Sequence, residues 1–563
     1  MLHEINKLEP TFEPLDKAIA ELKANKDKWA ATGIEERIAL LNEMRDALLE
    51  VSEAWAQTAA RKKQIAPGSP LAGEEWFAGP AAVLSGINGF ITTLSQMKDK
   101  AYLKKLPVRE LPNGQISVTS FPGTLWDKLL LTGIKADVWM QQGITKDNLK
   151  ANTASTYDIP AEQRKGKVSL VLGAGNISAI APLDCFHKLF IEHQVVILKM
   201  NPVNDYIADF LQVALKPLVE LGALRIVMGD SEIGEFLCNH PDIEEIHITG
   251  SEAVHDIIVW GAGEEGRANK QARTPRNTRR ITSELGAVCP TIVVPGPWSD
   301  KDLQFQAEHI ASQKLHNSGF NCVACQVLVM PEKWDSSNAL LERIEEVISG
   351  APSRLPYYPG ARKRMDDFES HGDNVLKFER PGVDDFLLAK EGDSWFSNNE
   401  VFGPAMSTHT IDETGAEEYL RSAIRYANEE LHGTLGANIV IHPKTLKKIG
   451  KKKFEAIISD LHYGCIAINS WTGVGFQILQ TPWGAFPGHT LDDVQSGIGF
   501  VHNTYMFDRP ERTIVWAPFR ASPRPAWFIT NKMQHKIGER IVKFLHKPGW
   551  LRFLGILKFG IKG

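Results

Sequence analysis

From residue 167 to residue 249 the chain alternates short, almost wholly apolar runs with longer amphipathic stretches, and this constrains its fold more than any other feature. The apolar runs are Val168–Leu172, 195–198, 224–228 and 245–249. A strand with one face in water alternates apolar and polar residues. A strand covered on both faces reads as a continuous apolar run. Stretches at 184–192, 207–221 and 233–239 have helical character and lie between these strands. The order predicts a parallel sheet with helices on both faces. A second alternating region follows: strand 291–294, helix 303–315, strand 326–330, helix 337–348, and a resumption from about 405 to 468. The polar, basic stretch 261–280 lacks periodicity and predicts a surface loop, and 351–394 reads as irregular. Near the start, Ile38, Leu40, Leu41, Met44, Leu48 and Leu49 recur at helical spacing.

At 563 residues the chain needs two to four folded units. Its 63 basic residues nearly balance 68 acidic ones, so no global field points to a nucleic-acid partner. Residues 1–30 mix acids and lysines without an apolar core, and no run of about 18 uncharged apolar residues occurs. The expectation is a cytoplasmic protein. Six cysteines in so long a chain then read as reduced thiols.

Four segments can carry chemistry. Gly173-Ala174-Gly175-Asn176 closes one strand, where glycine permits a sharp turn and close backbone approach to a ligand; it is equally a plain strand–helix turn. Thr249-Gly250-Ser251 closes another strand and opens a helix. Such an N-terminus suits a pyrophosphate, and Ser251 is also an ordinary helix cap. Glu284, in Ser283-Glu284-Leu285-Gly286, is either a general base or a solvated carboxylate. Cys322 lies in Gly319-Phe320-Asn321-Cys322, a glycine-containing loop between a helix and a strand, where a thiolate can be reached. Cys322 and Cys325 also fit the spacing of a redox or metal-binding pair. A zinc site needs two further ligands at similar spacing, and the sequence offers no second pair, so no metal is expected.

Taken in order, these segments resemble the aldehyde dehydrogenase superfamily over residues 30–518. Asn176 and Lys199 keep that family's 23-residue spacing. Thr249-Gly250-Ser251, Glu284-Leu285-Gly286-Ala287 and Gly319 to Cys322 follow. Then come Glu400-Val401-Phe402-Gly403-Pro404, a strand at 464–469, and the turn Pro482-Trp483-Gly484-Ala485.

The resemblance implies an α/β fold with a Rossmann-type cofactor domain, an α/β catalytic domain and a small β oligomerisation element. The boundaries are an N-terminal helical part at 1–132, a first oligomerisation arm at 133–166, and the NAD(P)-binding domain at 167–285. The catalytic domain covers 286–471, a return segment with the second oligomerisation strand 472–518, and a basic tail 519–563. It further implies oxidation of an aldehyde with NAD or NADP, in a homodimer or homotetramer. Cys322 is then the nucleophile, Asn176 an oxyanion donor and Glu284 the base that activates water. Lys199, Gly250, Ser251, Glu400, Phe402 and Gly175 are the coenzyme-binding residues. Glu284 is commonly absent from the acyl-CoA reductase branch, which is the rival activity on this scaffold; a catalytically silent scaffold protein is the rival of another class. Pro202 replaces a glutamate that grips the 2′-hydroxyl in many relatives, which leaves NAD and NADP open. Ala174-Gly175 replaces Pro-Trp before the asparagine, and Ala287 replaces the second glycine.

Beyond this pattern, residues 520–563 hold ten Lys/Arg and one acid, Glu539, interspersed with Trp, Phe, Leu and Ile. That composition fits either a peripheral membrane contact through 530–560, favouring medium- or long-chain aldehydes, or a helix packed on the body.

Overall fold

The computed structural model describes residues 12–352, 354–380, 382–390 and 393–563. Residues 1–11, which fall in the N-terminal helical part assigned from sequence, lie outside it.

The four apolar runs, joined by Arg280–Leu285, form one five-stranded sheet in which every pairing is parallel. Its order is Leu224–Val227, Val195–Lys199, Val168–Leu172, Glu245–Gly250, Arg280–Leu285. From Val168–Leu172 the chain first builds outward on one side and then returns to build on the other. The order therefore reverses between Val168–Leu172 and Glu245–Gly250. Beyond the strand ends at such a point the connecting loops diverge and leave a crevice, where α/β folds bind ligands.

The second alternating region forms the middle of an eleven-stranded sheet. Cys465–Ile468, Gly436–Val440, Pro290–Val293, Val327–Pro331, Ala405–Ile411 and Phe386–Ala389 run parallel within it. The two arm stretches pair with each other across the chain. Lys135–Met140 pairs antiparallel with Pro510–Trp516, which pairs in turn with Cys465–Ile468, so both arms extend the large sheet. Ile116–Phe121 and Val108–Glu110 continue it to one edge.

Several local expectations change. The stretch 261–280 contains a helix, Gly263–Ala272. Its apolar periodicity is missing because it lies on the surface with only Gly266 buried; Lys270 ties it to Asp256 at 2.7 Å. The stretch read as irregular holds the helix Ala361–Ser370 and the antiparallel pair Val375–Phe378 and Phe386–Ala389. Helix 207–221 is broken into Ala208–Ala214 and Lys216–Glu220, with Pro217 opening the second, where it costs no helical hydrogen bond. Helix 184–192 begins earlier, at Ile180, and widens into a π-helical turn at His187–Ile191. Among the described residues one helical stretch, Ala72–Leu94, is long and apolar enough to span a bilayer by length and composition. Most of it is buried in the body of the protein, so it reads as a core helix.

The tail forms two helices, Gln534–His546 and Trp550–Gly560. The first buries Ile537, Gly538, Val542 and Phe544. A side chain at Gly538 would meet Trp76 Cβ at 2.6 Å, and one at Gly73 would meet the Gln534 backbone at 2.4 Å. Those two glycines let the tail lie flat on Ala72–Trp76.

Candidate active site

All nine residues assigned to catalysis or coenzyme binding line one cavity of about 680 Å³. Register brings them there. Leu172 is level with both Lys199 and Ile248, and Thr249 with Glu284. The loops that follow these strands must therefore emerge side by side at the same end of the sheet.

Glycine sets how closely the walls approach. A Cβ at Gly175 would lie 2.7 Å from Asn201 Oδ1 and 2.9 Å from the Tyr358 hydroxyl. One at Gly286 would lie 1.9 Å from Glu400 Oε2, so Glu400 reaches the cavity only because position 286 lacks a side chain. Ser251 caps Glu252–Trp260 through its hydroxyl, which accepts from the Val254 N–H. Ser251 is thus an ordinary helix cap, and the helix start it caps still faces the cavity.

The loop carrying Cys322 is held in an unusual conformation. Asn317 and Ser318 both have φ of 55°, and Gly319 has 82°. Non-glycine residues enter this region only when their surroundings hold them there. Glu74 accepts from the Asn317 N–H at 2.9 Å, and Arg354 donates to Ser318 Oγ at 2.9 Å. Arg354 also pairs with Glu74 at 2.6 Å, while Lys63 pairs with Glu75 at 3.0 Å. All four charges are buried. The loop thus rests on two positive and two negative groups that satisfy one another.

The same cluster fixes Asn176. Its backbone carbonyl accepts from Lys63 Nζ at 2.9 Å, the Tyr357 hydroxyl at 3.1 Å and Asn317 Nδ2 at 3.2 Å. Its side-chain amide donates to the Phe320 carbonyl at 3.0 Å, which aims Asn176 toward the cysteine loop and uses one of its two N–H groups. The Cys322 N–H takes part in no hydrogen bond among the described residues. One N–H of the Asn176 amide and the Cys322 N–H are thus left for a ligand in the cavity that both residues line.

The electrostatics of the site are those of crowded acids in a dry space. Burial raises Glu284 to about 8, and the neighbouring Asp184 adds to this; the Cys322 thiol and Trp483 indole pull the other way. Burial likewise raises Glu400 to about 8, with Lys314 opposing and Glu284 reinforcing. The Cys322 thiol is raised by burial and then by both carboxylates. One Oε1 on Glu284 and one on Glu400 lack any hydrogen-bond partner among the described residues. Buried carboxylate oxygens left without partners are costly unless a ligand answers them.

At the far end of the cavity Lys199 is depressed mainly by burial, with Asp230 opposing that shift. At the near end Phe402, at φ 43°, packs on Phe320 and Tyr358, and Arg364 sits over its ring at 5.8 Å. Asn201, Asp230, Tyr358 and Arg364 line the cavity and were missed from sequence. Tyr358 and Arg364 lie in the stretch read as irregular. Asp230 follows a strand end, the one local signal that marked it. Cys325 is fully buried, its thiol directed at the Val327 carbonyl, and it does not line the cavity.

The family model described as the aldehyde dehydrogenase family matches residues 194–362. Malonate-semialdehyde dehydrogenase 1 of Geobacillus kaustophilus is 23% identical over 57% of this chain and 70% of its own length. The mitochondrial succinate-semialdehyde dehydrogenase of Arabidopsis thaliana is 32% identical over 53% of this chain. For that protein the match spans only about half of its length, 52%. An NAD-dependent aldehyde dehydrogenase from Sinorhizobium meliloti superposes over 92% of this chain and 89% of its own, with a TM-score of 0.59 and 18% identity. The chain thus resembles aldehyde dehydrogenases in sequence over part of its length and shares their fold. The Mycobacterium tuberculosis aldehyde dehydrogenase whose structure was solved with NAD+ shares the fold, at a TM-score of 0.58, 17% identity and 91% coverage of each chain. The fold places the seven separated sequence motifs around two sheets, and five of them reach a common cavity.

Proposed function

We propose that the protein oxidises an aldehyde to the carboxylic acid, with NAD or NADP as hydride acceptor and Cys322 as nucleophile. The observation that carries this reading is the meeting of Cys322, Asn176 and Glu284 on the wall of a cavity that also holds Glu400, Phe402, Ser251 and Lys199. The cavity fits a dinucleotide: a helix start at Ser251, a partnerless carboxylate oxygen on Glu400 and an aromatic ring at Phe402 lie along it. When bound, the oxidised coenzyme supplies the acceptor for the hydride.

The chain's own residues do the rest. The Cys322 thiol gives its proton to solvent and attacks the carbonyl carbon as a thiolate, and the negative oxygen is held by Asn176 Nδ2 and the Cys322 N–H. Loss of hydride from that carbon leaves a thioester on Cys322. Glu284 then accepts a proton from water, the hydroxyl attacks the thioester, and the acid departs as the thiol re-forms. The retained carboxylate at position 284 favours water over coenzyme A as acceptor. Asp230 stands beside Lys199 where the adenosine ribose would lie, and a carboxylate there accepts from a 2′-hydroxyl and repels a 2′-phosphate. NAD is therefore the preferred coenzyme in this reading. The apolar and basic surface of the C-terminal helices favours a medium- or long-chain aliphatic substrate. Assembly into a homodimer or homotetramer is proposed from the family resemblance; the outer strands Val108–Glu110 and Val375–Phe378 leave sheet edges to which another copy can add.

A panel of aliphatic aldehydes of increasing chain length, each with NAD and NADP, tests the reading by absorbance of the reduced coenzyme. Turnover independent of coenzyme A and preferring NAD is expected. Turnover only when coenzyme A is supplied would replace it with the acyl-CoA reductase reading.

A further inference from the structure

The last helix, Trp550–Gly560, is turned the wrong way round for a soluble surface. It seats Phe553 and Ile556 against the body, where Trp126 packs on Phe544, Trp550 and Phe553 with ring centroids 5.3, 4.9 and 5.9 Å away. Its outward face is nevertheless apolar. Trp550, Leu554 and Leu557, continued by Ile561 just past the helix end, follow one another at steps of four, three and four, which places them in a single stripe. Leu551 is 88% exposed, Ile561 70%, Trp550 59% and Leu554 54%. Beside the stripe, the short helix Leu125–Leu130 exposes Leu125, and Leu131 just past it is exposed as well. Large apolar side chains gathered on one face mark an interaction site.

Charge identifies the occupant. Lys532, Lys536, Lys543, Lys547, Arg552, Lys558 and Lys562 are all exposed around this face. The single acid of the segment, Glu539, is already answered by Lys543 at 2.8 Å and Arg540 at 3.6 Å. Asp127 caps its own helix through Thr124, and Asp46 is paired with His546. A symmetric contact between two copies would set these cations against their own kind. An anionic lipid surface meets both needs: acyl chains take the Trp–Leu–Ile stripe, and headgroups take the lysines. Tryptophan at the helix start suits the interfacial depth.

We infer that Trp550–Gly560, with the adjoining turn at Leu125–Leu131, is a lipid-docking face that holds the protein on anionic membranes. The helix Gln534–His546 is not itself the anchor, as its apolar side is spent on Ala72–Trp76. It is the bracket that presents the last helix. Ala72–Trp76 also carries Glu74, which grips the Cys322 loop. One rigid piece therefore connects the docked face to the nucleophile, so that lipid-borne aldehydes are the substrates close at hand.

Flotation of the full chain with vesicles of phosphatidylcholine alone, or mixed with phosphatidylserine, tests this. Recovery with the phosphatidylserine vesicles, weakened by raised salt, is expected. The exposed pair Leu551→Glu with Leu554→Glu should lower it at least tenfold while turnover of a short, soluble aldehyde is unchanged. Equal recovery of the native chain and the double variant, or no recovery of the native chain, overturns the inference. So does a dimer seen by light scattering that the same double variant dissolves, since the face would then be a protein interface. Flotation reads docking without turnover, so loss of the catalytic reading and loss of this one are told apart.

Discussion

The two sides of the Cys322 loop are built by different means. Toward the cavity stand strand ends, glycines and a helix start: Gly175, Gly250, Ser251 and Gly286. Behind it stands a buried cluster of Lys63, Glu74, Glu75 and Arg354. The front consists of local turns whose chemistry is written in four or five consecutive residues. The back joins residues 63, 74, 75 and 354, which only the fold brings together. The difference teaches that the binding surface and the rigidity of this site have separate origins, and that they can be broken separately.

The largest effect should come from the back. Arg354→Met leaves Glu74 and Glu75 buried without their shared partner, and breaking one side of a buried pair typically costs about 3–5 kcal/mol. A urea midpoint that falls accordingly is expected, with the remaining folded protein slow because Ser318 and Asn317 lose their hold. An unchanged midpoint would mean that the cluster does not support the loop.

Next comes the front at Asn176. Asn176→Ala removes one oxyanion donor and should lower kcat about a hundredfold, near 3 kcal/mol, with little change in coenzyme affinity. Because Asn176 also borders the rear cluster only through its backbone carbonyl, stability should change little. A fall in stability as large as that of Arg354→Met would erase the distinction between the two sides.

A third effect follows from Glu284, which stands at about 8. Burial raises a carboxylic acid by disfavouring the charged form, so the base is present above that pH and protonated below it. The rate of thioester hydrolysis should fall about tenfold per unit as pH drops below 8, and Glu284→Gln should remove that limb from the profile. The same sign gives a stability effect. The folded state holds this proton between the ordinary carboxyl range and pH 8, so native protein loses stability as pH rises through that window, and the glutamine variant loses less.

The smallest effect belongs to Ser251. Removing the cap with Ser251→Ala should cost about 1 kcal/mol of stability and weaken coenzyme binding only severalfold, because the backbone donors at the helix start remain. Differential unfolding with and without coenzyme reads both numbers.

The division also explains what could be seen in advance. The strands of the five-stranded sheet were legible because each is covered on both faces and so is written as an unbroken apolar run. The surface helix Gly263–Ala272 was not, because it buries only Gly266 and has no apolar stripe to read. Tyr358 and Arg364 were hidden for another reason. They reach the cavity from a stretch whose helix is short and rich in charge, and their role depends on the approach of Phe402 from a segment some forty residues later. The arm strands were expected to pair with each other; that Pro510–Trp516 also pairs with Cys465–Ile468 and joins them to the large sheet is a long-range choice that no local pattern records.

The central claim is that Cys322 carries the acyl group and Glu284 releases it. Mixing the Glu284→Gln variant with an aldehyde and excess coenzyme, then measuring intact mass and mapping peptides, tests this directly. The account predicts one equivalent of reduced coenzyme per chain in a single burst, and an acyl adduct on the peptide containing Cys322. Steady turnover by that variant, or an adduct on any cysteine other than Cys322, would contradict it.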